Sequence, residues 1–220
     1  MDRATLARPQ AAWAKSAPAP HPHHVLESWA RRRLGNVDHE RRVFQIAGAL
    51  FDLTRDLHGL SRRSHWALGA AAWLHDVGRS VDPETHEVVG AEMILSDIAL
   101  SLPSDARRWV AYLTLHHRGP VPDAGEDEIL RASDDREGLR KVLALLRAAD
   151  TLDSRSLGES PRLLLMRRDR RIRVSCLVRD NVDKAEKAFC RPKKYRLLQE
   201  TIGCTLDVDV QLGEARIVSE

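Results

Sequence analysis

Cysteine, aromatic side chains and long apolar runs are all scarce in this 220-residue chain. The three cysteines, Cys176, Cys190 and Cys204, are widely spaced and fit neither a zinc motif nor a disulfide framework, so we expect buried free thiols. No apolar run has membrane-spanning length, and the N-terminal residues contain no apolar signal core. The sequence therefore predicts a soluble, cytoplasmic protein without a membrane partner.

An excess of one charge sign is also lacking, because the formal net charge is only +3. The charge is uneven, however: from Arg155 onward 15 Lys and Arg accompany 10 Asp and Glu. This basic third either meets phosphate-rich ligands or is an ordinary solvated face. Its densest cluster, Arg167, Arg168, Arg170 and Arg171, either extends a groove for a long polyanion or forms an exposed hairpin turn. No aromatic residues alternate with it, so nucleic acid is not an expected partner.

The N-terminal two thirds of the chain has a helical pattern. Residues 1–22 are rich in Ala and Pro, show no sustained period and predict a mobile tail. From residue 23 to about residue 155, apolar residues recur at intervals of three and four, which predicts a bundle of six helices. The predicted helices are Val25–Arg33, one whose apolar stripe runs from Val43 to Leu57, one from Ser61 or Ser64 to His75, Thr85–Leu100, 104–117 and Leu139–Asp153.

The pattern changes after Pro161. The segments LLLM and IRVSCLV flank RRDRR and predict two strands joined by a turn. A helix is expected over Asp183–Glu200, disturbed by Pro192, and CTLDVDVQL and ARIV predict further strands. The predicted fold class is mainly α, with a helical domain over residues 23–155 and a small, basic α+β subdomain over residues 156–220.

A His-Asp doublet, His75-Asp76, lies in the last turn of a predicted inward-facing helix. His39 is on the inward face of the preceding helix, and Asp150 lies near the end of the last bundle helix. Imidazole and carboxylate groups are the ligands of divalent-metal hydrolases, in which the metal activates water. Together these four residues predict one metal site. Singly, each has an ordinary explanation as a core histidine or a helix-end carboxylate.

Further candidates surround this set. His86, His116 and His117 are candidate ligands for a second metal or for the substrate. Arg79 and Arg118 each come shortly after a cluster of candidate ligands, HD and HH respectively. A guanidinium at either position could neutralise the charge of a bound phosphate. The alternative is that each is a surface arginine or a member of a structural ion pair.

The metal itself is not identified by the pattern: Mn, Fe, Mg, Co, Ni and Zn all remain candidates. Asp153 and Arg155 either contact the ligand side chains and orient them or form an ordinary ion pair at the end of the helix.

The whole pattern H…HD…H…HH…D, with LHDVGR, H-x3-GAE and RAAD around it, resembles the HD-domain phosphohydrolase superfamily over about residues 38–153. That resemblance implies an HD-type helical domain. It also implies a divalent metal held by the first His, the doublet and the final Asp, with extra histidines for a second ion in dinuclear members. The matching positions are His39, His75, Asp76 and Asp150, and then His86, His116 and His117.

A closer similarity runs from about residue 25 to the end. HHRGPVP, LLRAADTLDSRS, RRIRV and KKYRLLQETIGCTLDV resemble the C-terminal half of exopolyphosphatase and guanosine pentaphosphate phosphatase proteins. In those proteins an HD-type domain and a small α/β tail follow an actin-like catalytic domain, for which this chain has no room. The similarity therefore implies a free-standing version of that half.

The expected function is hydrolysis of a phosphoester or phosphoanhydride in a nucleotide, a guanosine polyphosphate or polyphosphate, with Asp76, Arg79 and Arg118 in the catalytic centre. The alternative is a non-catalytic, regulatory module that binds polyphosphate or nucleotides, because many of the larger proteins have lost ligands from this domain. Trp13, Trp29 and the apolar helix faces also permit a homodimer.

Overall fold

The computed structural model of the protein describes residues 23–123, 126–157 and 161–213. The predicted tail over residues 1–22 and the predicted strand ARIV lie outside the described residues. Within these ranges, no helix is long and apolar enough to cross a membrane.

The N-terminal part is helical, as its periodicity predicts. Ser61 caps α4, its hydroxyl oxygen accepting a hydrogen bond from the backbone N–H of Ser64 at 3.1 Å. The predicted helix Thr85–Leu100 is too long, because the chain leaves the helical conformation at Asp97. The helices are α1 His23–Leu34, α2 Asp38–Leu53, α3 Arg55–His58, α4 Arg62–Leu74, α5 His86–Ser96, α6 Ser104–Leu115 and α7 Arg136–Thr151, with 3-10 turns at Val77–Ser80 and Arg155–Leu157.

The C-terminal part is a three-stranded sheet with two helices. Strands β1 Arg162–Arg168 and β2 Arg171–Val178 form the predicted antiparallel hairpin, and β3 Thr205–Leu212 lies parallel to β2. Between β2 and β3 are α8 Val182–Phe189 and α9 Pro192–Ile202. The single helix expected here is two helices, because Pro192 lacks an N–H and takes the first position of a new helix.

The two parts of the fold share one hydrophobic core. Helix α4 is buried from Trp66 to Leu74 because α1, α2, α6 and α7 pack around its small residues. The same buried cluster continues through Ile172 and Val174 of β2, and α9 packs against α7. The side chain of Trp29 is only 1% exposed, so it is not part of a surface that could form a dimer. The thiols of Cys176 and Cys204 are buried as predicted.

The burial predicted for Cys190 is wrong. Its thiol is exposed because the residue ends α8, where the chain turns toward α9.

Gly78 lets the turn after the His-Asp doublet lie directly against α5. A Cβ atom on Gly78 would be 2.1 Å from the carbonyl oxygen of His86 and 2.6 Å from the backbone nitrogen of Gly90. Both neighbours are backbone atoms in a helix, so neither can rotate away. The absence of a side chain at Gly78 therefore sets the distance between the doublet and His86.

Substituting Gly78 by alanine is expected to destabilise the protein by about 1–3 kcal/mol through overpacking. Gly48→Ala is the matched control, because a Cβ there meets nothing within 4 Å. Its expected effect in helix α2 is neutral, or stabilising by up to about 1 kcal/mol. Chemical denaturation measures both free energies of unfolding, and equal values for the two variants would contradict the close approach.

Candidate metal centre

The ends of five helices meet at one point, where they bring together six of the predicted ligands. Helix geometry explains this placement: each ligand lies in the first or last turn of its helix or just beyond it, so its side chain reaches the common centre. Five of the side chains are buried, and the sixth, Asp150, is partly exposed to a cavity. The six are His39 of α2, His75 and Asp76 after α4, His86 of α5, His117 after α6 and Asp150 of α7.

The first ligand group is centred on two imidazoles. The Nε2 atoms of His39 and His75 are 3.3 Å apart. Oδ1 of Asp150 lies 3.3 Å from the first of these nitrogens and 3.6 Å from the second. Oδ2 of Asp76 is 3.9 Å from Nε2 of His39. These separations are short enough for one ion to contact all four side chains.

The second group shares Asp76 with the first. Oδ1 of Asp76 is 3.0 Å from Nε2 of His86 and 3.6 Å from Nε2 of His117. These two nitrogens are 3.3 Å from each other. In each group of three that contains Asp76, the candidate ligand atoms lie within 4.8 Å of one another. The Asp76 carboxylate is therefore common to both groups of candidate ligands.

Each of the four imidazoles is oriented by a hydrogen bond on its far side. The acceptors are three backbone carbonyls and one carboxylate, which accept protons but do not donate them, so each Nδ1 carries the hydrogen and each Nε2 offers a lone pair. The pairs are His39 with Asp153 at 2.7 Å, His75 with Ala72 at 3.0 Å, His86 with Pro83 at 2.9 Å and His117 with Thr114 at 2.6 Å.

Four inward lone pairs and two carboxylates fit a divalent metal. Two imidazole lone pairs facing each other at 3.3 Å repel unless a proton or a cation lies between them. Imidazole nitrogen with carboxylate oxygen is the ligand set of Mn, Fe, Co, Ni and Zn. The donor set therefore passes the chemical test for a metal centre.

Without a metal, protons must take its place. Burial opposes protonation of His75, but the charges of Asp76 and Asp150 outweigh it and raise its pKa to about 9. Burial, reinforced by the charge of His75, lowers the pKa of His117 to about 4. Burial opposes ionisation of Asp76 and Asp150, but the neighbouring histidines keep the pKa of both carboxyls below the usual range.

The two residues expected to support the ligands do contact them. Asp153 holds Nδ1 of His39 and is itself held by Arg42 at 2.6 Å. Arg155 contacts Oδ2 of Asp76 at 3.0 Å and also pairs with Glu40.

Glu40 is not among the predicted site residues. Its side chain is fully buried, and one of its carboxylate oxygens has no partner among the described residues. Acidic residues are common in the first turn of a helix, so the local sequence does not mark Glu40 as a site residue. Only its tertiary ion pair with Arg155 does so.

His116 does not join the centre. Its Nε2 instead lies 2.9 Å from Oδ2 of Asp127, and its ring packs edge-on against Tyr112. Neighbouring residues at a helix end point in different directions, so only one of the adjacent pair faces the ligands, and that one is His117. The expectation that His116 is a ligand is therefore corrected.

The arginines divide into two groups. Arg79 and Arg118 line a cavity of about 340 Å³ over the ligands. Nε of Arg79 donates to Asp76 at 2.7 Å, and Nη1 of Arg118 is 3.4 Å from Nδ1 of His86.

The basic cluster of the hairpin lines a different groove, which contains none of the six ligands. Arg167 in that cluster pairs with Asp56 at 2.8 Å. The structure therefore does not support the expectation that this cluster extends the metal groove. Of the two alternatives, the cluster matches the turn of an exposed hairpin.

No protein-family profile matches this sequence, and no curated protein sequence matches it.

Replacing Asp153 by asparagine is expected to lower the affinity for Mn²⁺ by about 10–100-fold, because His39 loses the carboxylate that fixes its tautomer. Asp127→Asn is the matched control: it changes the carboxylate that holds His116, outside the centre. Titration calorimetry of both variants gives the affinities. Equal affinities would show that Asp153 does not orient a ligand.

Metal uptake near neutral pH is expected to release protons. His75 is protonated there, because its raised pKa lies near 9, and only the neutral imidazole binds a metal. About one proton should leave His75 per chain, and its release should decline as the pH rises through 9. His39 should contribute further, because burial opposes its protonation but Asp150 and Asp153 outweigh that effect and raise its pKa. Calorimetry with Mn²⁺ in buffers of different ionisation enthalpy counts the protons; a binding heat that is the same in every buffer would contradict the assignment.

Proposed function

We propose that this protein is a metal-dependent phosphohydrolase that cleaves a phosphoester or phosphoanhydride bond at a centre for two divalent ions. The observation that carries the proposal is the convergence of four imidazole lone pairs on the shared carboxylate of Asp76. His39, His75 and Asp150 would complete one ligand group, and His86 and His117 the other.

The bound metal would supply a Lewis acid and a water whose pKa is lowered toward neutrality. The protein's own arginines suit the anionic substrate. Arg118 is exposed, and its nearest carboxylate is Glu87 at 3.8 Å, which leaves its guanidinium available to a phosphate. Arg79 holds Asp76 through Nε, so its terminal nitrogens can bind a ligand at the same time.

The ligand set also narrows the choice of metal. Mg²⁺ prefers an octahedron of oxygen ligands and usually keeps several waters. Four imidazoles are therefore a poor match for it, and Mn, Fe, Co, Ni or Zn is the proposed group. The motif resemblance to HD-domain phosphohydrolases supports the same class. The relation to the exopolyphosphatase half stays a prediction.

The activities of two variants, in which the adjacent residues His116 and His117 are replaced separately, test this proposal. The protein is stripped with a chelator, reloaded with Mn²⁺ and assayed for phosphate release from p-nitrophenyl phosphate, nucleotides, guanosine polyphosphates and polyphosphate. His117→Ala is expected to lose activity by about 100-fold or more, because a ligand is lost. His116→Ala should stay within a few-fold of the wild type, since its imidazole is outside the centre.

Two outcomes contradict the proposal. Equal loss in the two histidine variants would mean that the centre is not catalytic. Failure of the metal-loaded protein to release phosphate from any substrate, combined with polyphosphate or nucleotide binding, would favour a regulatory binding module.

A further inference from the structure

Glu40 is a fully buried carboxylate beside the metal centre. Its Oε1 accepts a hydrogen bond from Nη2 of Arg155. The other oxygen, Oε2, is also buried and has no hydrogen-bond partner in the part of the chain that the structure describes. Removing a carboxylate from water is costly, and pairing it with one cation seldom offsets that cost in full. Stability alone therefore does not account for Glu40, and its neighbours indicate a role in the centre.

Arg155 connects this carboxylate to the ligands. Its Nε donates to Oδ2 of Asp76 at 3.1 Å, and its Nη2 lies 3.0 Å from the same oxygen while also donating to Glu40. One guanidinium therefore bridges a carboxylate of α2 and a carboxylate that follows α4. The Arg155 side chain is 41% exposed and lines the cavity over the ligands, whereas Glu40 does not line it. Glu40 therefore reaches Asp76 through Arg155.

Comparison with a second arginine on Asp76 shows what Glu40 adds. Nε of Arg79 donates to the same Oδ2 at 2.7 Å, and among the described residues Asp76 is the only carboxylate within ion-pair distance of Arg79. Arg155 has a second carboxylate, that of Glu40. Of the two guanidinium groups on Asp76, only that of Arg155 is therefore held from both sides and has its charge offset by a second anion.

The balance of charge matters at this position because the two ligand groups would take up cations. A guanidinium next to Asp76 repels a divalent ion, and water screens that repulsion poorly in a buried site. The negative charge of Glu40 offsets the positive charge of Arg155. Arg155 can then orient the Asp76 carboxylate by hydrogen bonds without adding net positive charge to the centre.

The pair also lies next to the support of another ligand. Glu40 directly follows His39 in the first turn of α2. Arg155 lies two residues after Asp153, whose carboxylate accepts the hydrogen bond from Nδ1 of His39. The start of α2 and the segment after α7 therefore contact each other twice. Asp76, which is common to both ligand groups, is attached to the second of these contacts.

We propose that Glu40 is a positioning residue for the metal centre. It holds Arg155 against Asp76 and offsets the charge of the guanidinium. Oδ1 of Asp76 then stays directed at Nε2 of His86 and Nε2 of His117, which lie 3.0 and 3.6 Å away. This inference rests on the proposed function for the presence of the metal but not for the identity of the substrate. Metal affinity, rather than activity alone, therefore measures the role of Glu40.

Glu40→Gln tests this role, because it keeps the size of the side chain and removes its charge. Calorimetry with the metal-free full chain is expected to give a Mn²⁺ affinity about 10–100-fold lower than that of the wild type, as for other residues that orient metal ligands. Glu27→Gln is the matched control. Glu27 also pairs with arginines, Arg31 and Arg41, each at 2.9 Å, but lies outside the centre, so its replacement should leave the Mn²⁺ affinity unchanged.

A double-mutant cycle with Arg155→Gln separates positioning from a general structural effect. If Glu40 acts through Arg155, Glu40→Gln should change the Mn²⁺ affinity by no more than about twofold once Arg155 is replaced. A loss of the same size in both backgrounds would overturn the proposal. If Glu40→Gln does not fold, Glu40→Asp enters the same cycle. Its shorter side chain draws the guanidinium away from Asp76, and a smaller loss is expected, again only where Arg155 is present.

This proposal and the hydrolase proposal fail in different ways. Equal Mn²⁺ affinities for Glu40→Gln and the wild type would overturn the role of Glu40, while phosphate release by the wild type would still support the hydrolase. A wild type that binds Mn²⁺ but releases phosphate from no substrate would overturn the hydrolase, and the cycle would still decide the role of Glu40. A wild type that binds no Mn²⁺ would overturn both.

Discussion

The structure depends on one electrostatic constraint, which is the burial of the Asp76 carboxylate among four imidazole lone pairs. A buried carboxylate is costly unless cations or hydrogen bonds compensate it. Two arginines contact its outer oxygen, and two imidazole nitrogens approach its inner one. The imidazole nitrogens of each pair face one another at 3.3 Å, so their lone pairs repel unless protons or metal ions lie between them. The ends of five helices are held together around that requirement.

A polar network behind the ligands connects the centre to the rest of the fold. Arg155 joins Asp76 to Glu40, so the 3-10 turn that leads to the sheet is tied to the first turn of α2. Helix α9 and part of the sheet belong to the same core as the bundle, whereas α8 packs with the rest of the sheet in a second, smaller cluster. This continuity explains how basic residues that are distant in sequence come to line a metal cavity. In the proposed enzyme the bundle would hold the metal, and Arg191 and Lys194 of the C-terminal part line the cavity over it.

Much of this could be predicted from the sequence, for local reasons. The inward direction of His39 follows from its position one turn before an apolar stripe. Strands β1 and β2 follow from two apolar segments on either side of a basic turn. The choice between His116 and His117 depended on the rotation of a helix end, which spacing does not determine. Glu40 depends on its ion pair with Arg155, more than 100 residues away in the chain, and no local pattern encodes that contact.

In the proposed centre, Asp76 would be a ligand of both divalent ions. Metal analysis of the Mn²⁺-loaded protein, together with anomalous scattering from its crystals, measures this most directly. We expect two ions per chain, one contacted by His39 and His75 and the other by His86 and His117, and weaker binding of both ions in Asp76→Asn. A protein that binds no ion at these residues, or an Asp76→Asn variant that retains both ions with unchanged affinity, would contradict it.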